Sequence, residues 1–170
     1  CIRDRSHSII RPILRPMLKA AVGHSNDPDS ALAIAEVLGQ CQAALDHQPA
    51  QAGVLFAAID FDHALILQEI DRTYPNLQLI GGTTDGEISS VLGFDQDSLT
   101  LILFQTSPEI QIRAGIGTEV AKNPALAAQT AIAMAKPDPH QEIAFCLTFP
   151  ESLTASAVVI LNRLQDSLGK

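Results

Sequence analysis

Leu79-Ile80-Gly81-Gly82-Thr83-Thr84-Asp85-Gly86-Glu87-Ile88 is the stretch around which this chain is organised. An apolar run feeds a turn made of glycines, hydroxyls and two carboxylates, the form of a buried strand that ends at a site. Glycines let a backbone or a ligand come close. Thr83 and Thr84 supply donors and acceptors, and Asp85 and Glu87 supply charge. A plain turn with Asp85-Gly86 at its corner accounts for the same residues. The surroundings must decide between the two.

Upstream, two further apolar runs end in polar turns. Residues 17–23 predict a strand that opens into Gly23-His24-Ser25-Asn26-Asp27. Asp27 is placed to cap a helix with Pro28 at its first position. Ile34, Leu38, Cys41 and Leu45 then recur at intervals of three and four, one face of a helix. Residues 53–59 are apolar throughout, as in a strand buried on both faces of a helix-covered sheet. Asp60-Phe61-Asp62 follows, and Asp60 or Asp62 can cap a second helix that runs to Pro75. Residues 77–81 form the third strand, leading into the central stretch.

Downstream the pattern changes. Residues 98–104 predict a strand, and only Gln105-Thr106-Ser107-Pro108 separates it from 109–117. There Ile110, Ile112, Ala114 and Ile116 alternate with Gln111, Arg113 and Gly115, the period of a strand exposed on one side. So short a connection predicts an antiparallel hairpin. Asn123 caps an Ala-rich helix that starts at Pro124 and stops at Pro137-Asp138-Pro139. A further buried strand is expected over 142–147, and a last helix carries Val158, Leu161 and Leu168. The expected fold is α/β: a mixed sheet of mainly parallel strands plus an antiparallel hairpin, covered by helices and cut before its next strand. One domain spans 17–170, after an irregular lead-in over 1–16. Cys1-Ile2-Arg3-Asp4-Arg5 resembles a translated sequencing adapter, as in a metagenomic fragment, and is set apart from the fold.

Composition bounds the function. A chain of 170 residues can bury roughly 70% of its unfolded surface. Its 46% hydrophobic content, with few aromatics, builds a core of Ala, Leu, Ile and Val. A net charge of -8 is the wrong sign for a nucleic-acid footprint or an anionic membrane surface. No apolar run reaches the roughly 18 residues of a membrane span. Cys1, Cys41 and Cys146 have neither metal nor redox spacing and read as buried free thiols in a reducing compartment. His7, His47, His63 and His140 are scattered, so no metal site is read.

In open α/β sheets ligands bind beyond the carboxyl ends of the strands. Parallel strands would bring Ser25, Asn26, Asp60, Asp62 and the Gly81-to-Glu87 turn to one edge, joined there by residues 148–152. Helix N-termini would offer N–H groups to an anion, and Asp85 or Glu87 would meet a cation. That suits a small polar ligand such as an amino acid. Ser25, Asn26 and Asp27 serve equally as helix caps. His24 stands beside the candidate site, though a lone histidine is more often a satisfied or exposed residue than a ligand. The central turn is neither a phosphate-binding loop nor a dinucleotide fingerprint, and a serine-nucleophile elbow is absent. Asp85 and Glu87 working as acid and base in an enzyme is one rival reading, and an interaction module with an apolar surface patch and no pocket is the other.

The order of elements, with Ile80, Gly81, Thr84, Gly86, Glu87 and Ile88, resembles the N-terminal FIST sensory domain over 19–170. That family typically carries an Ile-Gly-Cys-Ser-Thr-x-Gly-Glu-Ile run. Here Gly82 stands for the usual Cys, Thr83 for Ser and Asp85 for a small residue. The resemblance implies a cytoplasmic bacterial input domain that binds a small ligand and is not an enzyme. It implies a C-terminal FIST region and an output partner, a kinase, chemotaxis or cyclic-nucleotide module. Contacts are expected from Ser25, Asn26, Thr83, Thr84, Asp85 and Glu87, with Gly81, Gly82 and Gly86 giving shape. No cofactor is expected. Some relatives are reported to sense nitric oxide through haem, for which His24 is the sole candidate axial ligand here.

Overall fold

In the computed structural model, residues 17–136, 138, 140, 142–151 and 153–168 are described. The lead-in expected over 1–16, with its adapter-like start, lies outside the described residues.

The elements follow in the order β1 (Leu18–Ser25), α1 (Ser30–Ala44), β2 (Ala52–Ala58), α2 (His63–Thr73), β3 (Gln78–Thr84), β4 (Glu87–Ser89), β5 (Gly93–Asp95), β6 (Leu99–Thr106), α3 (Pro124–Ala135) and α4 (Ala157–Leu168). A four-stranded sheet has the order β1-β6-β2-β3, and β4-β5 makes a separate two-stranded hairpin. The sheet is mixed, as expected. β2 and β3 pair in parallel, while β6 runs antiparallel to both β1 and β2. It follows that β1, β2 and β3 all point the same way. Their carboxyl ends share one edge: Ser25 lies opposite Leu99, Leu99 opposite Ala57, and Ala57 opposite Thr83.

Register also fixes the faces. Leu99, Leu101 and Leu103 share a face with Ala21, Leu55 and Ala57. That face forms one core with Ala33, Ile34, Val37, Leu38 and Cys41 of α1 and Ile66 and Ile70 of α2. The helices start where side chains satisfy their first amides. Asp29, not the expected Asp27, caps α1 by accepting from the N–H groups of Ala31 and Leu32. Asp27 instead accepts from the Asp29 amide at 2.9 Å and shapes the approach. Asp62 caps α2, and Asn123 caps α3 with Pro124 in its first turn.

Two expected strands are corrected. Residues 110–117 form no ladder with β6, whose two edges are already taken by β1 and β2. Their alternation serves a helix instead. A Cβ on Gly115 would fall 2.0 Å from the Ala131 carbonyl oxygen, and one on Gly117 1.9 Å from that of Ala127. Only glycine lets this extended segment lie so close to α3. The antiparallel hairpin of the molecule is β4-β5 rather than 98–117. Residues 142–147 are not a buried strand either: Phe145 is 78% exposed, and the apolar run finds no strand to pair with among the described residues. α3 and α4 make a second, small cluster through Ala128, Ile160 and Leu164.

Candidate functional site

The rim formed by the ends of β1, β2 and β3 is not hollow at its β1 side. It carries a buried polar network. His24 and Ser25 end β1 with no exposed surface, and Ser98 is equally buried. One ring nitrogen of His24, Nδ1, lies 2.7 Å from Ser89 Oγ, and Nε2 lies 2.9 Å from Ser98 Oγ. Ser98 donates its hydroxyl to Glu87 Oε2, and its amide donates to the same oxygen at 3.2 Å. Thr84 donates to the other oxygen, Oε1. Glu87 is only 3% exposed, and these donors are what make a buried carboxylate tolerable. The arrangement clasps the β4-β5 hairpin to the sheet end.

Ser25 and Asn26 belong to the same clasp. Ser25 donates to Glu36 Oε2 at 2.6 Å, and Asn26 donates to Asp95 Oδ2 at 2.8 Å. Gln40 of α1 accepts from the His24 amide and donates to the His24 carbonyl. Gly86 has the Phe94 ring over it, with a notional Cβ 2.7 Å from Phe94 Cε2. Asp85 is exposed at the tip of the turn. Asp85 and Glu87, the acid and base of the enzyme reading, therefore differ in access to solvent. The haem reading does not fit: both nitrogens of His24 are engaged and the ring is wholly buried.

The open space lies one strand further on. A cleft of about 790 Å³ runs between β3, α2 and the α3-α4 unit. Gly81, Gly82 and Thr83 line it, as do Thr148, Phe149, Pro150 and Glu151 from the opposite side. Gly81 has φ +156°, and a Cβ there would stand 1.8 Å from the Leu55 carbonyl oxygen, so β3 can lie against β2 only with glycine. Of the expected stretch 148–152, residues 148–151 line the same cleft as the end of β3, and Ser152 lies outside the described residues. Phe149 stands edge-on to Phe56 of β2, ring centroids 5.0 Å apart at 87°. The carboxyl of Glu151 accepts from the Thr154 hydroxyl and from the Leu153 and Thr154 amides. These bonds, the hydroxyl's first, hold it below the usual carboxylate range.

Of the nine expected site residues, Gly81, Gly82 and Thr83 face the cleft, while Ser25, Asn26, Thr84 and Glu87 are engaged in the clasp. Ser89, Ser98 and Gln40 escaped the sequence reading. Ser98 sits just ahead of an apolar strand, and a hydroxyl in that place is the one signal that pointed to a buried bond. Nothing in the spacing joined it to His24, 74 residues away. Among the described residues there is no cluster of His, Cys, Asp and Glu able to hold a metal ion, and no helix is long and apolar enough to cross a membrane.

A family model, the FIST N domain, matches residues 51–170. The chain belongs to this family. FIST is a sensory domain family of signalling proteins, and the match takes in β2, β3, the hairpin, β6 and both later helices. It begins after β1 and α1, so the strand that carries His24 and Ser25 precedes the matched part. No curated protein matches the chain. Among solved structures, the chain is similar to an empty FtsZ dimer from M. jannaschii at 17% identity and a TM-score of 0.34. That alignment covers 56% of this chain and 28% of the FtsZ chain.

Proposed function

We propose that this FIST domain is a cytoplasmic, small-molecule-binding input module, and that its ligand occupies the cleft beside β3. The observation that carries the reading is the meeting of Gly81-Gly82-Thr83 with residues 148–151 across about 790 Å³, a size suited to a small ligand. Amino acids and similar small polar molecules are the first ligands to try, because Thr83 and Thr148 offer hydroxyls where the strand ends. The mechanism is population shift. A ligand bridging β3 and the α3-α4 unit favours one placement of that unit, and an output module such as a kinase, a chemotaxis protein or a cyclic-nucleotide enzyme reads it, with a C-terminal FIST region between them. Detection rather than turnover is the role that membership of a sensory family supports.

Calorimetric titration with a panel of amino acids tests this. Saturable binding is expected, and Thr83→Ala should weaken it about fivefold, the worth of one hydrogen bond of about 1 kcal/mol. The pair Thr84→Ala with Asp85→Ala separates the cleft from the clasp, and should weaken binding less than Thr83→Ala does. An affinity unmoved by Thr83→Ala and lowered by the pair would put the ligand at the hairpin instead.

A further inference from the structure

We infer that the cleft takes an amphiphile with an apolar body and a hydrogen-bond-donating, non-anionic head such as an amine, admitted through the gap at Gly82. This rests on the reading of the cleft as the ligand site and moves its ligand class from polar amino acids to apolar amines. Most of the wall is hydrocarbon: Leu55, Leu67, Leu79, Ile116, Ile160 and Leu164 all contribute. Free polar amino acids would leave that wall wet, whereas an apolar body covers it and releases that water. Polar groups are few. They are chiefly Thr83, Thr148 and Glu151, whose carboxylate keeps accepting capacity beyond its Leu153 and Thr154 bonds, while His63 Nε2 already faces the Ala58 carbonyl and Gln78 already accepts from the Ala114 amide.

The charge of the head follows from the same wall. Glu151 is the carboxylate at the rim, and the described residues lining the cleft include no lysine or arginine. A cationic or neutral donor therefore meets complementary acceptors there, while a carboxylate head meets a like charge. The gap follows from the backbone. A Cβ on Gly82 would have nothing within 4 Å, and its φ lies outside the left-handed region. Its neighbour Gly81 is glycine because β2 leaves no room, but Gly82 is under no such constraint. The space beside it belongs to the cleft, so a side chain there would take volume from a ligand without straining the fold.

Octylamine, 1-octanol and octanoate, each below its micellar concentration, are the probes, with glutamate and serine as polar comparators. Calorimetry on the whole chain should give saturable binding of octylamine and octanol, and octanoate should bind at least tenfold more weakly. Gly82→Phe should lower octylamine affinity at least tenfold with an unchanged circular dichroism spectrum and melting temperature. Ile88→Ser, on the exposed hairpin, should leave that affinity as it is. The inference is overturned if octanoate binds as well as octylamine, if Gly82→Phe leaves octylamine binding intact, or if Ile88→Ser abolishes it. Binding of glutamate or serine without binding of octylamine would overturn the inference yet support the sensory reading. Silence from every probe and every amino acid would count against both.

Discussion

The sheet body and the α3-α4 unit are built from similarly apolar sequence but are held in very different ways. In the body, two helices cover one face of a four-stranded sheet, and Leu99, Leu101 and Leu103 of β6 are completely buried at its centre. In the α3-α4 unit the buried cluster among the described residues is Ala128, Ile160 and Leu164, with Val120, Ile132 and Ala155 half-buried around it. Val158 and Leu161 of α4 and Met134 of α3 stay exposed. The difference teaches where rigidity and adaptability sit. A site between a firm edge and a lightly held unit has one wall that fixes geometry and another that can respond to what enters.

The sharpest way to break that contrast is to cut each core once. Leu101→Ala should cost about 2–5 kcal/mol of global stability, because a wholly buried leucine at the sheet centre leaves a cavity that its neighbours cannot close. Ile160→Ala removes a comparably buried side chain from the small cluster, yet should leave the body's transition in place. The chain has one tyrosine and no tryptophan, and Tyr74 lies in the core of the body. Tyrosine fluorescence during urea unfolding therefore reports the body alone. A matching shift of that transition in Ile160→Ala would mean the two regions unfold as one.

The same contrast explains what the sequence made legible. β2, β3 and β6 were visible because they are short apolar runs between turn residues, and α1 to α3 because caps and apolar spacing agree. Strand direction was also legible at one remove: three strands with helical connections between them are bound to run alike. Residues 110–117 misled because an alternating pattern records only that one side is covered, and the cover here is a helix rather than a sheet. Residues 142–147 misled because apolar content names no partner. Glu87 looked like a site residue from its glycine and threonine neighbours. Its burial depends on Ser98, whose approach is created by the β4-β5 hairpin and cannot be read from local spacing.

The clasp gives the next smaller effect. Glu87→Ala leaves the hydroxyls of Thr84 and Ser98 without their acceptor in a buried place, and should cost about 1–3 kcal/mol. Amide exchange should rise in residues 87–95 more than in β2, since the hairpin is what the carboxylate ties down. Uniform exchange across both would show that the clasp supports the whole sheet rather than its end.

Alkali probes the body through Cys41. Burial pushes its thiol up to about 12, well above an unfolded thiol. The folded state therefore keeps a proton that the unfolded chain gives up. The associated stability is complete below the unfolded value, falls by about 1.4 kcal/mol per pH unit above it, and is exhausted once pH passes the folded value. Denaturation between pH 8 and 10 should show the tyrosine transition moving down, and Cys41→Ala should reduce that slope. Exposed Cys146 should react with a disulfide reagent in the native state at pH 8, well ahead of Cys41.

Helix caps provide the finest comparison, because the chemistry is matched and only the region differs. Asp29→Ala removes the acceptor for two amides at the start of α1, and Asn123→Ala removes the acceptor for the Leu126 amide at the start of α3. Each cap is worth about 1 kcal/mol to its own helix. α1 is part of the main core, so its loss should appear in full in the tyrosine transition. Among the described residues, α3 meets the body through the cleft and the 110–117 segment, so Asn123→Ala should lower helix content by circular dichroism while barely moving Tyr74. A ligand that bridges the cleft would change that result in a definite direction. By joining α3 to β3 it would make the Asn123→Ala defect felt at Tyr74, and an Asn123→Ala chain equally unmoved with and without ligand would mean the bound molecule does not couple the two.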